Sequence, residues 1–312
     1  MSADDKTTMQ AQMFANRLEK RFRHLKKWAA RVNAGVFRLY DRDIPEVPLV
    51  LDFYGDAAQT QDAALAGALY KRPYEKDEAD ETQWLSVMKE SAASAIGITP
   101  DRIFLKQRQR QRGASQYEKM NSESFTKIVS ESSLSFKVNL SDYLDTGLFP
   151  DRRLLRDMVR AAADGKRVLN LFSYTGSFSV YAAAGGALST DSVDLSNTYL
   201  HWTRENFSLN GFSASLLQQY EFFNESQPRQ NCANKLIRSD VLQFLDKAVS
   251  QKLRWDIIIL DPPAFSNSKK MTESFDLQRG MIELLQKCIK LLAPDGKIFL
   301  SVNVRRFSVT PE

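Results

Sequence analysis

The sequence predicts an α/β fold, a parallel sheet covered by helices on both faces, preceded by a smaller α+β domain. Three observations carry this. From Leu154 onward, apolar runs of strand length alternate with amphipathic runs of helix length, the pattern left by strands joined through crossover helices. Several of those strands are apolar along most of their length, as in Ile257 to Leu260, which suits a sheet buried on both sides. The earlier part of the chain does not alternate in this way, and 312 residues suffice for two domains of ordinary size.

In the first domain, residues 1–140, Phe14, Leu18, Phe22, Leu25 and Trp28 recur at steps of three and four, which gives an amphipathic helix. Short strands follow at 36–40 and 48–54, while 63–70 fits neither the helical nor the strand period. A helix over 81–96 stops at Gly97 with Pro100 just beyond. Residues 102–110 read as a strand whose even positions are basic apart from Phe104, and 125–130 with 135–139 read as a hairpin. In the second domain, residues 141–312, helices are expected at 153–163, 177–184, 197–209, 241–250 and 275–292. Strands are expected at 167–172, 188–194, 236–239, 255–260 and 296–302.

Composition excludes several classes. Hydrophobic content of 43% with 26% charged residues is that of a soluble globular protein, and no apolar run approaches the roughly 18 residues of a membrane helix. The opening MSADDKTTMQ lacks the basic start and apolar stretch of a signal peptide, so a cytoplasmic location is expected. Cys232 and Cys288 are the cysteines, and His24 and His201 the histidines. None sits in a metal-ligand spacing, so no metal is expected, and a triad hydrolase has little to build on.

Charge is concentrated more than the net +5 suggests. Arg17, Lys20, Arg21, Arg23, Lys26, Lys27 and Arg31 stand against Glu19, and Arg102, Lys106, Arg108, Arg110, Arg112 and Lys119 against Glu118. Such clusters suit a phosphate backbone or form solvated faces.

Four predicted strand ends carry candidate chemistry. At the first, Tyr174-Thr175-Gly176 turns from strand to helix. Gly176 would let backbone approach a ligand, and the helix start would point amides at it. The next strand ends at Asp194, about 20 residues further on, where an acid can accept from ribose hydroxyls; the same carboxylate could instead cap the following helix. Asp240 ends the third strand, placed to accept from an adenine amino group. The fourth runs into Asp261-Pro262-Pro263, a rigid corner that removes two amide donors and offers a carboxylate and carbonyls to a planar amino-bearing ring. A plain strand stop is the competing reading. Phe265 beyond it offers a stacking face, and residues 266–270 offer hydroxyl, amide and basic groups.

Together DYLDTGLFPDRR, LNLFSYTGSFSV, VDLSNTYL, ENFSLNG and DPPAFSNSKK resemble the RlmK-type 23S ribosomal RNA guanine-N7 methyltransferases, the C-terminal half of the fused RlmKL enzyme in some bacteria. The resemblance covers nearly all the chain. It implies a Rossmann-like class I methyltransferase domain behind a basic α+β RNA-binding domain, with S-adenosyl-L-methionine as cofactor and 23S ribosomal RNA as partner. A separate methyltransferase or unwinding partner is a further expectation. Phe149, Asp151 and Arg153 become cofactor candidates by resemblance, beside Asn170, Phe172, Tyr174, Thr175, Gly176, Asp194, Leu195, Ser196, Asp240, Val241 and Asp261. Asp261, Pro262, Pro263 and Phe265 are the catalytic candidates, and Lys106, Arg108, Arg110, Arg112, Lys269 and Lys270 the RNA-binding ones. Arg152 departs from the histidine that the resemblance implies. No partner half precedes Met1, so a free-standing form or an excised domain is expected. The end at Glu312 leads to the expectation of a chain truncated before a final antiparallel hairpin.

Methylation of cytosine C5 requires a cysteine nucleophile. Neither Ala264 after the corner nor Ser301-Val302-Asn303 after the fifth strand supplies one. The sequence therefore favours a ring nitrogen, guanine N7, methylated by direct in-line displacement. The alternatives are another rRNA atom, an amino nitrogen or cytosine C5, or a non-catalytic RNA-binding or assembly protein.

Overall fold

The structure is a computed structural model and describes residues 3–70, 77–107, 124–143, 145–224, 233–263, 265–266 and 275–302. The chain forms two compact units, Met1–Asp151 and Arg152–Glu312.

In the first unit, α1 (Ala3–Val32) presents Phe14, Leu18, Phe22 and Ala29 to a core shared with β1 (Val36–Asp41), β2 (Leu49–Tyr54), β3 (Ala64–Leu69), α2 (Glu78–Ile96) and β4 (Ile103–Gln107). The four strands make one sheet in the order β1-β2-β3-β4, antiparallel except for the parallel pair β3 and β4. Residues 63–70, undecided in sequence, include the central strand β3. Its ambiguity has a cause: Ala64, Leu65 and Ala66 are all buried, so no alternation marks it. Helix α2 is capped by Asp77, which accepts from the Ala79 amide, and ends at Gly97 in the left-handed region at φ 76°. Hairpin β5 (Thr126–Glu131) and β6 (Leu134–Asn139) completes the unit.

Residues 141–151, expected in the second domain, belong to this first unit. The Asn139 amide donates to the Thr146 carbonyl, and Tyr54 Oη and Thr146 Oγ1 lie 2.8 Å apart. These bonds return the segment to β6 and β2, which no local pattern could indicate.

The second unit is a six-stranded sheet in the order β14-β11-β7-β8-β10-β9, with every pairing parallel. Its elements are α3 (Arg153–Ala162), β7 (Arg167–Leu171), α4 (Ser177–Ala184), β8 (Ser189–Asp194), α5 (Asn197–Leu209), β9 (Ala214–Gln218), α6 (Gln219–Phe223), β10 (Asn234–Arg238), α7 (Val241–Ser250), β11 (Trp255–Leu260), the short pair β12 (Phe265–Ser266) and β13 (Phe275–Asp276), α8 (Leu277–Leu291) and β14 (Leu292–Leu300). The sheet carries apolar cores on β7, β8, β10 and β11 packed by α7 and α8, and on β7 and β11 packed by α3 and α4. Edge strand β9 and helix α6 were not expected. Every residue of β9 is half-buried, so it shows neither the continuous apolar run of an interior strand nor clean alternation.

Strand order reverses at β7. The chain goes from β7 to β8 on one side and comes back to β11 on the other, so the crevice for a ligand lies beyond the carboxyl ends of these strands. Leu260 pairs with Leu171, and Leu171 with Val193. Asp261, Phe172 and Asp194 therefore leave the sheet at one level, with β11 and β8 roughly 10 Å apart, two strand spacings. Among the described residues no helix is long and apolar enough to cross a membrane.

Candidate active site

The loop from β7 to α4 is held from several sides. Phe172, Tyr174 and Gly176 take positive φ of 56°, 51° and 71°, and positive φ in non-glycine residues costs free energy that the surroundings must offset. The offset is visible. The Ser173 amide donates to the Val193 carbonyl, the Tyr174 amide to Asp194 Oδ2 at 2.9 Å, Thr203 Oγ1 to the Tyr174 carbonyl and Asn206 Nδ2 to the Thr175 carbonyl. A Cβ on Gly176 would lie 2.1 Å from Thr203 Cγ2. The glycine is thus required by close packing of α5 as well as by its backbone, and the approach it permits is to this helix.

Asp194 accepts from the Tyr174 amide and, through Oδ1, from the Ser196 amide at 2.8 Å. It does not cap α5; Ser196 does, its Oγ accepting from the Tyr199 amide. Burial pushes the Asp194 carboxyl up to about 6, against the backbone donors that lower it. Each oxygen spends one lone pair on the backbone, leaving capacity for hydroxyl donors. Ser173 Oγ, buried in the same loop, has no hydrogen-bond partner among the described residues. It is a polar atom that sequence reasoning missed. Two groups able to meet hydroxyls, at the amino end of α4, fit a ribose-bearing ligand.

Other candidates have jobs of their own. Asn170 is 1% exposed and donates to Ser179 Oγ, which lies 2.7 Å from Ser192 Oγ, so it pins α4 to β7 and β8 from beneath the loop. Thr175 and Val241 are buried, while Phe172 and Leu195 are half-buried. The Tyr174 ring packs edge-on to Tyr199. Asp240 caps α7, accepting from the Gln243 amide at 3.1 Å. Arg153 donates to Asp157 Oδ2 at 3.1 Å. In the first unit Phe149 is 39% exposed and Asp151 is exposed.

At the end of β11, Pro262 is buried and Pro263 half-buried. The Ser301 amide donates to the Leu260 carbonyl, tying the exits of β14 and β11 together. Arg152 Nε lies 3.5 Å from Asp261 Oδ1. Arg152, where the resemblance implies a histidine, therefore faces the acid of this corner. Phe265 has its backbone in β12, but its side chain lies outside the described residues, as do Lys269 and Lys270.

Among the RNA-binding candidates, Lys106 does not lie on an exposed basic face. It is 9% exposed and its ammonium donates to the Tyr143 carbonyl, and burial pulls its pKa down to about 8. Arg108, Arg110 and Arg112 lie outside the described residues. On α1, Arg17 and Arg21 are drawn to Asp43, whereas Lys20, Arg23, Lys26, Lys27 and Arg31 are exposed.

A model of the S-adenosylmethionine-dependent methyltransferase family matches residues 52–310. The chain belongs to that family. The methyltransferase is 44% identical over 294 residues to ribosomal RNA large subunit methyltransferase K of Neisseria meningitidis serogroup B, covering 94% of this chain and 76% of that protein. It is 44% identical over 303 residues to ribosomal RNA large subunit methyltransferase K/L of Shewanella sp. strain MR-4, covering 97% of this chain and 39% of that protein. The chain thus spans about two fifths of the K/L relatives it matches and about three quarters of the K relative. The resemblance to a half of a fusion enzyme is accordingly broadened, since a K protein matches as well. Among solved structures, SMU.776 in complex with SAH matches at 25% identity with a TM-score of 0.71, covering 96% of this chain and 69% of that one. S-adenosylmethionine is the cofactor of this methyltransferase. Among the described residues no cluster of His, Cys, Asp and Glu could hold a metal ion.

Proposed function

We propose that this methyltransferase transfers a methyl group to N7 of a guanine in 23S ribosomal RNA, in the cytoplasm. The β11 corner carries the reading, with Asp261 at its mouth and, among the described residues, no exposed thiol to serve C5 chemistry. The Cys288 thiol is buried in α8 and pushed up to about 12 by burial, which keeps it protonated and unreactive. The kinship with a ribosomal RNA large subunit methyltransferase over most of its length supports RNA as the substrate.

Bound S-adenosylmethionine supplies an electrophilic methyl group. Asp194, Ser173 and the amino end of α4 would hold its ribose, and Asp240 would accept from its adenine amino group. Guanine N7 carries a lone pair at neutral pH, so orientation matters and no base is needed. Asp261 accepts from the guanine ring N–H and amino group, while Pro262 and Pro263 fix the corner that aims it. Holding the reactants in line contributes on the order of 7 to 11 kcal/mol to lowering the barrier. N7 in a paired RNA helix lies in a deep, narrow groove, so the base is flipped or presented by an unwinding partner. The exposed lysines and arginines of α1 hold the phosphate backbone.

The test is incubation of unmodified large-subunit RNA with labelled S-adenosylmethionine, followed by mass spectrometry of the nucleosides. N7-methylguanosine is expected. Label on an amino nitrogen or on cytosine C5 overturns the assignment of the atom.

A further inference from the structure

We propose that Arg152 is the positioning residue for Asp261: at a corner where two prolines offer no backbone amide, its guanidinium pairs by charge with the carboxylate that orients the base and restrains it. This rests on the reading of Asp261 given above.

The strand ends explain the need. An acid leaving a parallel strand is ordinarily satisfied by the amides just downstream. Asp194 does this with the Ser196 amide, two positions on. Asp261 cannot take an amide from either of the next two positions, because Pro262 and Pro263 have none. Arg152 Nε, 3.5 Å from Oδ1, forms an ion pair with the carboxylate rather than a hydrogen bond, with the two side chains 17% and 23% exposed. So little exposure leaves the attraction less screened than in a surface pair.

The source of the guanidinium is fixed as well. Arg152 is the residue at the amino end of α3, and α3 is anchored by the buried Arg156 and Val159. Its neighbour Arg153 is engaged with Asp157. An arginine keeps its charge throughout the working pH range and presents donors in a rigid plane. Holding one carboxylate oxygen restricts rotation about the Cβ–Cγ bond, so the other oxygen keeps one direction. Such preorganisation is worth most where the reacting group must not wander.

The test is a double-mutant cycle on single-turnover transfer to large-subunit RNA, with Arg152→Met, Asp261→Asn and the pair, beside Arg152→Lys. Calorimetry with S-adenosylhomocysteine checks that each variant folds and binds cofactor. Arg152→Met is expected to slow transfer by about ten- to hundredfold. Cofactor affinity and the RNA concentration for half-maximal rate should stay within about threefold. In the Asp261→Asn background the same change should cost less than about twofold, because Arg152 acts through the carboxylate. Arg152→Lys, which keeps the charge, should recover part of the rate. Losses that multiply in the double variant, or an Arg152→Met enzyme as fast as wild type, overturn the proposal while leaving the reading of Asp261 intact. Wild-type chain that binds cofactor but transfers nothing to this RNA overturns that reading, and the proposal with it.

Discussion

The corners at Asp194 and Asp261 sit at the same level of one sheet, two strands apart, yet they are built in opposite ways. Asp194 is embedded in backbone: two amides reach its oxygens, and the loop beside it is held by Thr203 and Asn206. Asp261 is stripped of local amides by Pro262 and Pro263 and faces a side chain from another element. Backbone donors cannot be moved by a side-chain substitution, so the Asp194 corner is a fixed receptor. A corner whose acid depends on a guanidinium can be tuned residue by residue. On the proposed function, constant cofactor binding belongs at the first corner and selection of the acceptor at the second.

The largest effect that could break this division comes from Asp261→Ala. Transfer should fall by about a thousandfold or more, with cofactor affinity within about threefold, read by single-turnover assay and calorimetry. Unchanged turnover removes Asp261 from the site.

Next in size is Gly176→Val, since the new Cβ would meet Thr203 Cγ2 in a residue at φ 71°. A loss of about 3 kcal/mol in unfolding free energy is expected. Gly165→Ala is the control: its φ of 66° also disfavours a side chain, but nothing lies within 4 Å, so only about 1 kcal/mol should be lost. Equal losses would show that backbone conformation alone sets the requirement for glycine.

A smaller effect concerns pH. The ionised Asp194 carboxylate, titrating at about 6, is the form that accepts from hydroxyls. Cofactor affinity should be level above about pH 7 and fall as pH drops through 6, approaching tenfold per unit. The contribution of Asp194 to apoprotein stability runs the other way. Its folded pKa is raised above the ordinary 3.8, so the folded state holds the proton more tightly, and stability from this group declines as pH rises from about 4 to about 6. Asp194→Asn should remove both dependences in calorimetric titrations.

The smallest effect tests the first unit. Replacing Lys20, Lys27 and Arg31 with glutamine should weaken RNA binding and flatten the slope of log K against log salt by about 2 to 3. An unchanged slope assigns this face of α1 to solvent.

Much of the framework was legible. Gly97 and Pro100 end α2 for local steric reasons, and the apolar run Ile257 to Leu260 marks an interior strand whatever surrounds it. Strand β9, half-buried along its length, and β3, buried on adjacent residues, carry weak signals because their exposure is set by neighbours. At the site, Asp194 and Asp261 could be picked from their places at strand ends. Ser173 could not, since an unpartnered hydroxyl is a property of its surroundings. Lys106 was misplaced for a related reason: alternation tells which residues share a face, and only packing tells which face is covered.

The sequence by itself determined the alternation of strands and helices in the second unit apart from β9 and α6, the corner at Asp261 and the lack of a cysteine beside it in the chain, because periodicity, proline chemistry and composition act over a few residues. Tertiary structure alone decided that Asn170 spends its amide on the scaffold, that Gly176 answers to Thr203, and that Arg152 meets Asp261. Those pairings join residues from 9 to more than 100 positions apart, and only the folded chain brings such partners into contact.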